Sequence, residues 1–474
     1  MKVSWTAEEV LRAVRGQSLH TQDWIAGGVS IDSRTLQKGD LFVSIKGDSY
    51  DGHAYVHAAM ERGAAAAIVG HQPPQVAPDA PLLFVDDTLT ALQDLGRVGR
   101  CRSQAKIVAV TGSVGKTSSK EQLRLMLGAI DDTYANEGSL NNQWGVPLTL
   151  ARLPASAKFG IVELGMNHTG ELAALTRDVK PHLALITTIE AVHLEHFASV
   201  EAIADAKAEI FLGMDPSGIA VLNRDNAYFG RLLAAARTQG LRQILSFGQD
   251  PKSDARLLAF APDSEGTTVE AVILDQKITF RVGTPGMHLA FNALGCLLAC
   301  AALDTDLATC AEALAGYRPP VGRGTRQSVS LAGEGTFTLI DESFNASPAS
   351  THAAIAALGQ TPVTGQGRRI AALGDMKELG ATSSELHRDL MASLLENRID
   401  HVFCCGEMMA HLFDTLPAAM RGGWAEDSAT LAPLVTAATH AGDAVMVKGS
   451  HSMHMEIIVA ALSAPSALPH QLAS

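Results

Sequence analysis

A chain of 474 residues is longer than one hydrophobic core usually serves, so two or three domains are expected. Apolar residues make up 47% and charged residues 18%, which excludes extensive disorder. The net charge of -13 excludes a general nucleic-acid binder, whose surface must neutralise phosphates. A small anionic ligand in a local basic pocket remains compatible with it.

The opening residues Met1–Glu9 carry neither the charged nor the apolar region of a signal peptide. Asp40–Ile45 reads as a strand, Ala54–Gly63 as a helix and Ala64–Val69 as a buried strand. Pro73, Pro74, Pro78 and Pro81 then mark a loop near a domain edge. From about Asp86 a strand, turn and helix pattern repeats. Ile107–Val110 stops at a glycine-bearing turn, and Glu121–Ile130 has helical spacing. Apolar runs follow at Gly160–Leu164, Leu183–Ile189 and Gly218–Leu222. Such alternation predicts a parallel sheet flanked by helices. Arg256–Val282 reads as shorter strands joined by turns such as Ser264–Gly266, and Leu289–Leu303 as a buried helix. That run is too short to span a bilayer, so no membrane insertion is expected.

Tyr317–Gly324 is a basic linker containing proline and glycine. Strands at Phe337–Ile340, Arg369–Leu373, His401–Cys405 and Ala444–Val447 and a helix over Glu385–Glu396 then predict a third domain. The division is residues 1–85, 86–317 and 318–474. The fold class is α/β: a central phosphate-loop domain on a parallel sheet, flanked by a small N-terminal α/β domain and a C-terminal one. Cys296 and Cys300 sit four apart on an apolar helix, where burial is expected. With Cys101, Cys310, Cys404 and Cys405 they form neither a zinc pattern nor a disulfide framework. A reducing cytoplasm fits.

Thr111–Thr117, running Thr-Gly-Ser-Val-Gly-Lys-Thr, follows one strand and opens one helix, the context a phosphate loop requires. Gly112, Ser113, Val114 and Gly115 turn backbone N–H groups toward phosphates, and the helix N-terminus of Lys116, Thr117 and Ser118 adds its positive end. Lys116 reaches the terminal phosphates and the Thr117 hydroxyl suits Mg²⁺. Val110 stands where the strict pattern has glycine, so Gly112 supplies the turn. A phosphate loop alone does not separate ligase, kinase, motor and switch.

Glu163 closes the run Ile161–Val162 and His193 follows Leu185–Ile189, each at a strand end facing the expected ligand crevice. Alone, each also has a structural reading, and Lys207, among alanines in a helical stretch, reads as a solvated lysine.

Together, Thr111–Thr117, Glu163, His193 and Ala206–Phe211 resemble the Mur ligase superfamily over essentially the whole chain and in family order. The resemblance implies a cytoplasmic amide ligase using ATP and two Mg²⁺ ions, with Lys207 carbamylated by CO₂. Thr117, Glu163, His193 and carbamylated Lys207 would hold the metals, with Lys116 catalytic beside them. It also implies a Rossmann-like third domain. Asp341–Pro348, Gly374–Gly380 and Val447–Ser450 resemble segments of the members that join D-alanyl-D-alanine to UDP-N-acetylmuramoyl-tripeptide. The resemblance then puts Ser33, Arg34, Lys46, Asp51, Gly52 and His53 on the UDP-sugar end, Asn141 and Asn142 on the reacting peptide, and Lys448 and Ser450 on the dipeptide. Asn292, Arg323, Asp341 and Asn345 fall on the nucleotide, with Asn292 facing the adenine and Arg323 coupling ATP to closure. Ser139, Leu289, Phe344 and His451 depart from the pattern, which more often has Asn, Asn, Tyr and Arg. A monomer is expected. Two rivals stand beside this reading: another ligase of the superfamily, such as one adding glutamate to folate, and a nucleotide-regulated binding protein without turnover.

Overall fold

The computed structural model describes residues 4–18, 23–47, 50–77, 79–331 and 335–464. Asp48 and Ser49 of the UDP-side loop, Pro78 of the proline-rich stretch and Met1–Val3 lie outside the described residues.

The central sheet has nine strands. Their spatial order is Thr133–Ala135, Phe159–Glu163, Lys106–Thr111, Leu183–Ile186, Ile219–Asn223, Gln243–Gly248, Ala255–Pro262, Thr267–Ile273 and Gln276–Val282. The first seven run parallel and the last two extend the edge antiparallel. Strands buried on both faces need apolar residues at every position, and the alternation sorts them. Val108, Val110, Leu183 and Leu185 face a core with Leu123, Met126 and Leu297. Ile107, Ala109, Ala184 and Ile186 face another with Leu150, Leu164 and Phe211. Cys296 and Cys300 are buried in the first core, on helix Met287–Ala302.

Helix Lys116–Gly128 begins five residues before its expected start. Its first turn is polar, which hides it from a reading of apolar spacing, yet Thr117, Ser118, Ser119 and Lys120 are all buried. The stretch expected as one helix over Glu385–Glu396 is two, Ser383–Arg388 and Leu390–Glu396, joined at Asp389.

The N-terminal sheet runs Gln17–Ser18, Leu82–Phe84, Ala66–Val69, Leu41–Val43 and Val29–Ser30, parallel except for its first strand. Its core holds Trp5, Leu41, Ile68 and Leu83 together with Leu92 and Leu95 of helix Thr88–Arg102 and Leu148 of helix Gly145–Ala151. A cut at residue 85 therefore divides one packed core. Trp5 Nε1 donates to Ala151 O at 3.1 Å across the same junction.

The third sheet runs Thr325–Leu331, Gly335–Glu342, Ala444–Lys448, Arg369–Gly374, His401–Cys405 and Arg421–Ala425, parallel beyond its antiparallel first pair. Among the described residues no helix is long and apolar enough to cross a membrane.

Candidate active site

The C-terminal ends of parallel strands open into a crevice, because the loops that leave them diverge there. At the ends of the central strands Glu163, Thr187 and Asn223 line one rim. Opposite stand Glu342, Phe344, Lys448 and Ser450 of the third sheet. Between them lies a cleft of about 1750 Å³, lined from Ser113–Ser118 to Asn345 and His451.

The loop at Gly112–Gly115 is held from several sides. Ser113 N–H donates to Thr188 O (2.8 Å), Ser113 Oγ donates to Glu190 O (3.1 Å), and Thr187 Oγ1 donates to Val114 O (2.6 Å). Two glycines are obligatory here. Gly112 has φ 148°, and an added Cβ would lie 1.9 Å from Thr187 Oγ1. Gly115 has φ 85°, and its Cβ would lie 2.7 Å from Asn292 Nδ2. Asn292 thus presses its carboxamide against the phosphate loop and also lines the cleft. Lys116 Nζ donates to Gly112 O at 2.7 Å. Burial lowers its ammonium below the ordinary value, Glu163 opposing that shift and Arg323 adding to it.

Glu163 is 1% exposed. Its N–H donates to Asn136 Oδ1 at 2.9 Å, and Oε1 accepts from Asn141 Nδ2 at 2.7 Å. The other oxygen, Oε2, is buried with no hydrogen-bond partner. A buried unpaired carboxylate oxygen is costly, and a cation would satisfy it. His193, at φ 56°, makes a short hydrogen bond through Nδ1 to Glu378 Oε2, which leaves Nε2 as the ring nitrogen that could meet a cation. Thr117 is 4% exposed and lines the cleft.

Lys207 lies in the last turn of helix Val200–Ala208 and is 1% exposed, so it is not the solvated lysine of the plain reading. Burial drives its ammonium well below the ordinary lysine range, and the neighbouring Lys116 charge lowers it further. Among the described residues no acid forms an ion pair with it, and it does not line the cleft surface itself.

Family models match along the chain: "Mur ligase family, catalytic domain" over residues 26–99, "Mur ligase middle domain" over 110–300 and "Mur ligase, glutamate ligase domain" over 327–451. A UDP-N-acetylmuramoyl-tripeptide–D-alanyl-D-alanine ligase of Rickettsia prowazekii is 32% identical over 91% of this chain and 94% of its own. The chain belongs to that family of Mur ligases. The crystal structure of MurF from Acinetobacter baumannii has TM-score 0.83 at 28% identity, covering 98% of this chain and 99% of that one. A MurF ligase of Thermotoga maritima in complex with ADP shares the fold, with TM-score 0.75 at 24% identity over 92% and 97%.

The third sheet of this Mur ligase brings further expected residues to the cleft. Lys448 is 2% exposed, and its Nζ donates to Asn345 O at 2.9 Å and lies 3.5 Å from Glu342 Oε2. Burial lowers its ammonium, and Glu342 opposes the shift. Ser450 Oγ accepts from Lys377 N–H at 2.9 Å, so it fixes the Gly374–Gly380 loop as well as facing the cleft. Arg323 places its guanidinium 4.0 Å over the Phe344 ring, and Phe344 in turn lies 5.5 Å from His451. Two of the four positions that depart from the family pattern therefore face one another.

Other expected residues are tied up by neighbouring groups, Asn142 at the cleft wall and the rest away from it. Asp341 turns away from the cleft: Oδ1 accepts from Ser343 N–H and Oγ–H, and Oδ2 accepts from Gly322 N–H. It braces the linker that carries Arg323. Asn142 Oδ1 accepts from Trp144 and Gly145 N–H, starting helix Gly145–Ala151. Ser33, Arg34, Lys46, Asp51, Gly52 and His53 do not line the main cleft. Arg34 is held by Asp32 (2.7 Å), and His53 is buried between Asp51 Oδ1 and Gly70 N–H. A Cβ at Gly47 of the same segment would lie 4.0 Å from the Trp144 ring, two residues from Asn142. The UDP-side segment and the cleft are thus neighbours along one surface.

Sequence reasoning did not find Glu378 as the partner of His193, nor Asn136 and Lys120 behind Glu163. Glu378 lay inside a segment singled out for its resemblance, but its partner is 185 residues away in sequence.

Proposed function

We propose that this Mur ligase joins the amine of D-alanyl-D-alanine to the terminal carboxylate of UDP-N-acetylmuramoyl-tripeptide, using ATP and forming an acyl phosphate on the way. A carboxylate resists amines because oxide is a poor leaving group. Transferring the γ-phosphoryl group to one carboxylate oxygen breaks the bond to ADP and makes phosphate the leaving group. The amine nitrogen then bonds to the acyl carbon, the C–O bond to phosphate breaks, and the amine loses a proton.

The observation that carries this reading is Glu163 Oε2, buried and unpartnered beside the phosphate loop. A switch that only binds nucleotide has use for one such acid but needs no second metal scaffold of the kind that Glu163, His193 and Lys207 offer together. Thr117, Glu163, His193 and a carbamate on Lys207 form a donor set suited to Mg²⁺. When bound, Mg²⁺ supplies neutralisation of the charge that develops on the phosphoryl oxygens. Carbamylation requires a neutral amine. Its lone pair bonds to the carbon of CO₂ and the nitrogen loses a proton, and burial holds Lys207 toward that neutral form. Lys116 adds a cation at the phosphates, and Arg323 reaches them from the linker. Asn141 orients Glu163 and faces the acceptor carboxylate. Lys448, Ser450, Phe344 and His451 form the wall where the dipeptide enters. Closure of that wall excludes water, which would hydrolyse the acyl phosphate. The reaction draws on ATP and a nucleotide-linked precursor, so on this reading the enzyme acts in the cytoplasm.

A phosphate-release assay crossing UDP-muramoyl peptides with amino-acid and dipeptide amines tests this. Release is expected with the tripeptide and D-alanyl-D-alanine together. Release with a folate and glutamate instead would overturn it.

A further inference from the structure

Helix Lys116–Gly128 carries a second lysine, one turn beyond Lys116 and more deeply buried. Lys120 is 0% exposed. Its Nζ donates to Asn136 O at 2.7 Å and to Gly138 O at 2.8 Å, and lies 3.0 Å from Glu121 Oε1. All three N–H donors of the ammonium are therefore used. Burying a cation is costly unless every partner is in place, and packing alone would be served by leucine or methionine. What requires a cation here is a pair of carbonyls turned inward by the loop that follows strand Thr133–Ala135, where Gly138 has φ 51°.

That loop also controls Glu163. Asn136 Oδ1 accepts from Glu163 N–H at 2.9 Å, its Nδ2 donates to Leu140 O at 3.2 Å, and Asn141 Nδ2 holds Glu163 Oε1 at 2.7 Å. A continuous path therefore leads from the helix behind the phosphate loop, through one ammonium, to the loop facing the acceptor and the carboxylate facing the metal.

We propose that Lys120 is a positioning residue that locks the loop Asn136–Asn142, and with it the Glu163 carboxylate, to the helix that holds the phosphates. This rests on the acyl-phosphate reading above. Its consequence is that donor phosphate and acceptor carboxylate are held on one rigid unit, so that their approach is fixed before the third sheet closes.

The test is Lys120→Met, which keeps the length and removes the cation. ADP affinity by calorimetry should stay within about threefold, because the Gly112–Gly115 contacts are untouched. The KM for UDP-muramoyl tripeptide should rise, kcat should fall on the order of tenfold, and half-saturation by Mg²⁺ should shift upward, as for partners that orient metal ligands. Unchanged acceptor KM, kcat and Mg²⁺ dependence would overturn the proposal. So would an equal loss of every parameter including ADP affinity, which a merely structural role predicts. Should the variant fail to fold, hydrogen exchange on the wild-type enzyme decides. Adding ADP with Mg²⁺ should slow exchange in residues 137–142 as well as 111–118, and no change in 137–142 overturns the lock. Absence of acceptor-dependent phosphate release in the wild-type enzyme would instead overturn the underlying reading.

Discussion

His193, in the loop that follows strand Leu183–Ile186, and Glu378 of the third domain share a hydrogen bond across the cleft. Glu195 N–H donates to Glu378 O at 3.2 Å beside it, so the contact has two strands. His193 lowers the Glu378 carboxyl below its ordinary value, as expected for an acid facing an imidazole. A candidate metal ligand is thus oriented by the third domain. Glu378→Gln should raise the Mg²⁺ needed for half-maximal phosphate release and lower kcat, by on the order of tenfold, the usual effect of losing a partner of a metal-bound histidine. A Mg²⁺ titration checks this, with ADP affinity expected to change little.

Lys116→Ala should abolish D-alanyl-D-alanine-dependent phosphate release, with a loss on the order of 100-fold or more, as when a charge facing the transition state is removed. Single-turnover phosphate release at saturating ATP measures the chemical step directly.

Lys207→Ala should be nearly inactive and should recover part of its activity when a short-chain carboxylic acid is added, since that acid returns an anion to the vacated space. Normal turnover in the variant would end the carbamate proposal.

Lys207 also predicts a pH effect on stability. Its folded-state pKa lies below the unfolded value of about 10.5, so the unfolded chain binds the extra proton between the two. Stability then rises with pH across that window. In CO₂-free buffer, the thermal stability of Lys207→Met should exceed that of the wild type at low pH. The gap should narrow as pH climbs toward the unfolded lysine value, and melting curves across the range read it.

Gly115→Ala should weaken nucleotide binding. The left-handed backbone costs an alanine about 1 kcal/mol, and the new Cβ at 2.7 Å displaces the Asn292 carboxamide. Calorimetry with ADP should show the loss, and Asn292→Gly in the same chain should restore part of it by making room.

Much of this site was legible because its chemistry is local. A strand, two glycines, Lys116 and Thr117 announce a phosphate loop within seven residues, and apolar runs place Glu163 at a strand end. What stayed hidden depends on distant partners. Nothing near Glu378 marks it as facing His193, and Lys120 in a polar turn gives no sign of being fully buried. Asp341 shows the opposite error. Its segment resembles a functional one, but its oxygens are spent on Ser343 and Gly322. The N-terminal boundary at residue 85 rests on the change to a repeated strand, turn and helix pattern near Asp86, and Leu92 and Leu95 beyond it pack back into the first core.

Helix Met287–Ala302 packs Ala293, Leu297 and Cys300 into the central core while holding Asn292 against Gly115. Its inner face therefore cannot drift freely over evolutionary time. A methyl group gained or lost among those core residues would tilt the helix and be felt as altered nucleotide affinity. Conditional alleles of this enzyme should accordingly arise in residues that never touch a substrate, and compensating changes should appear on the facing strands.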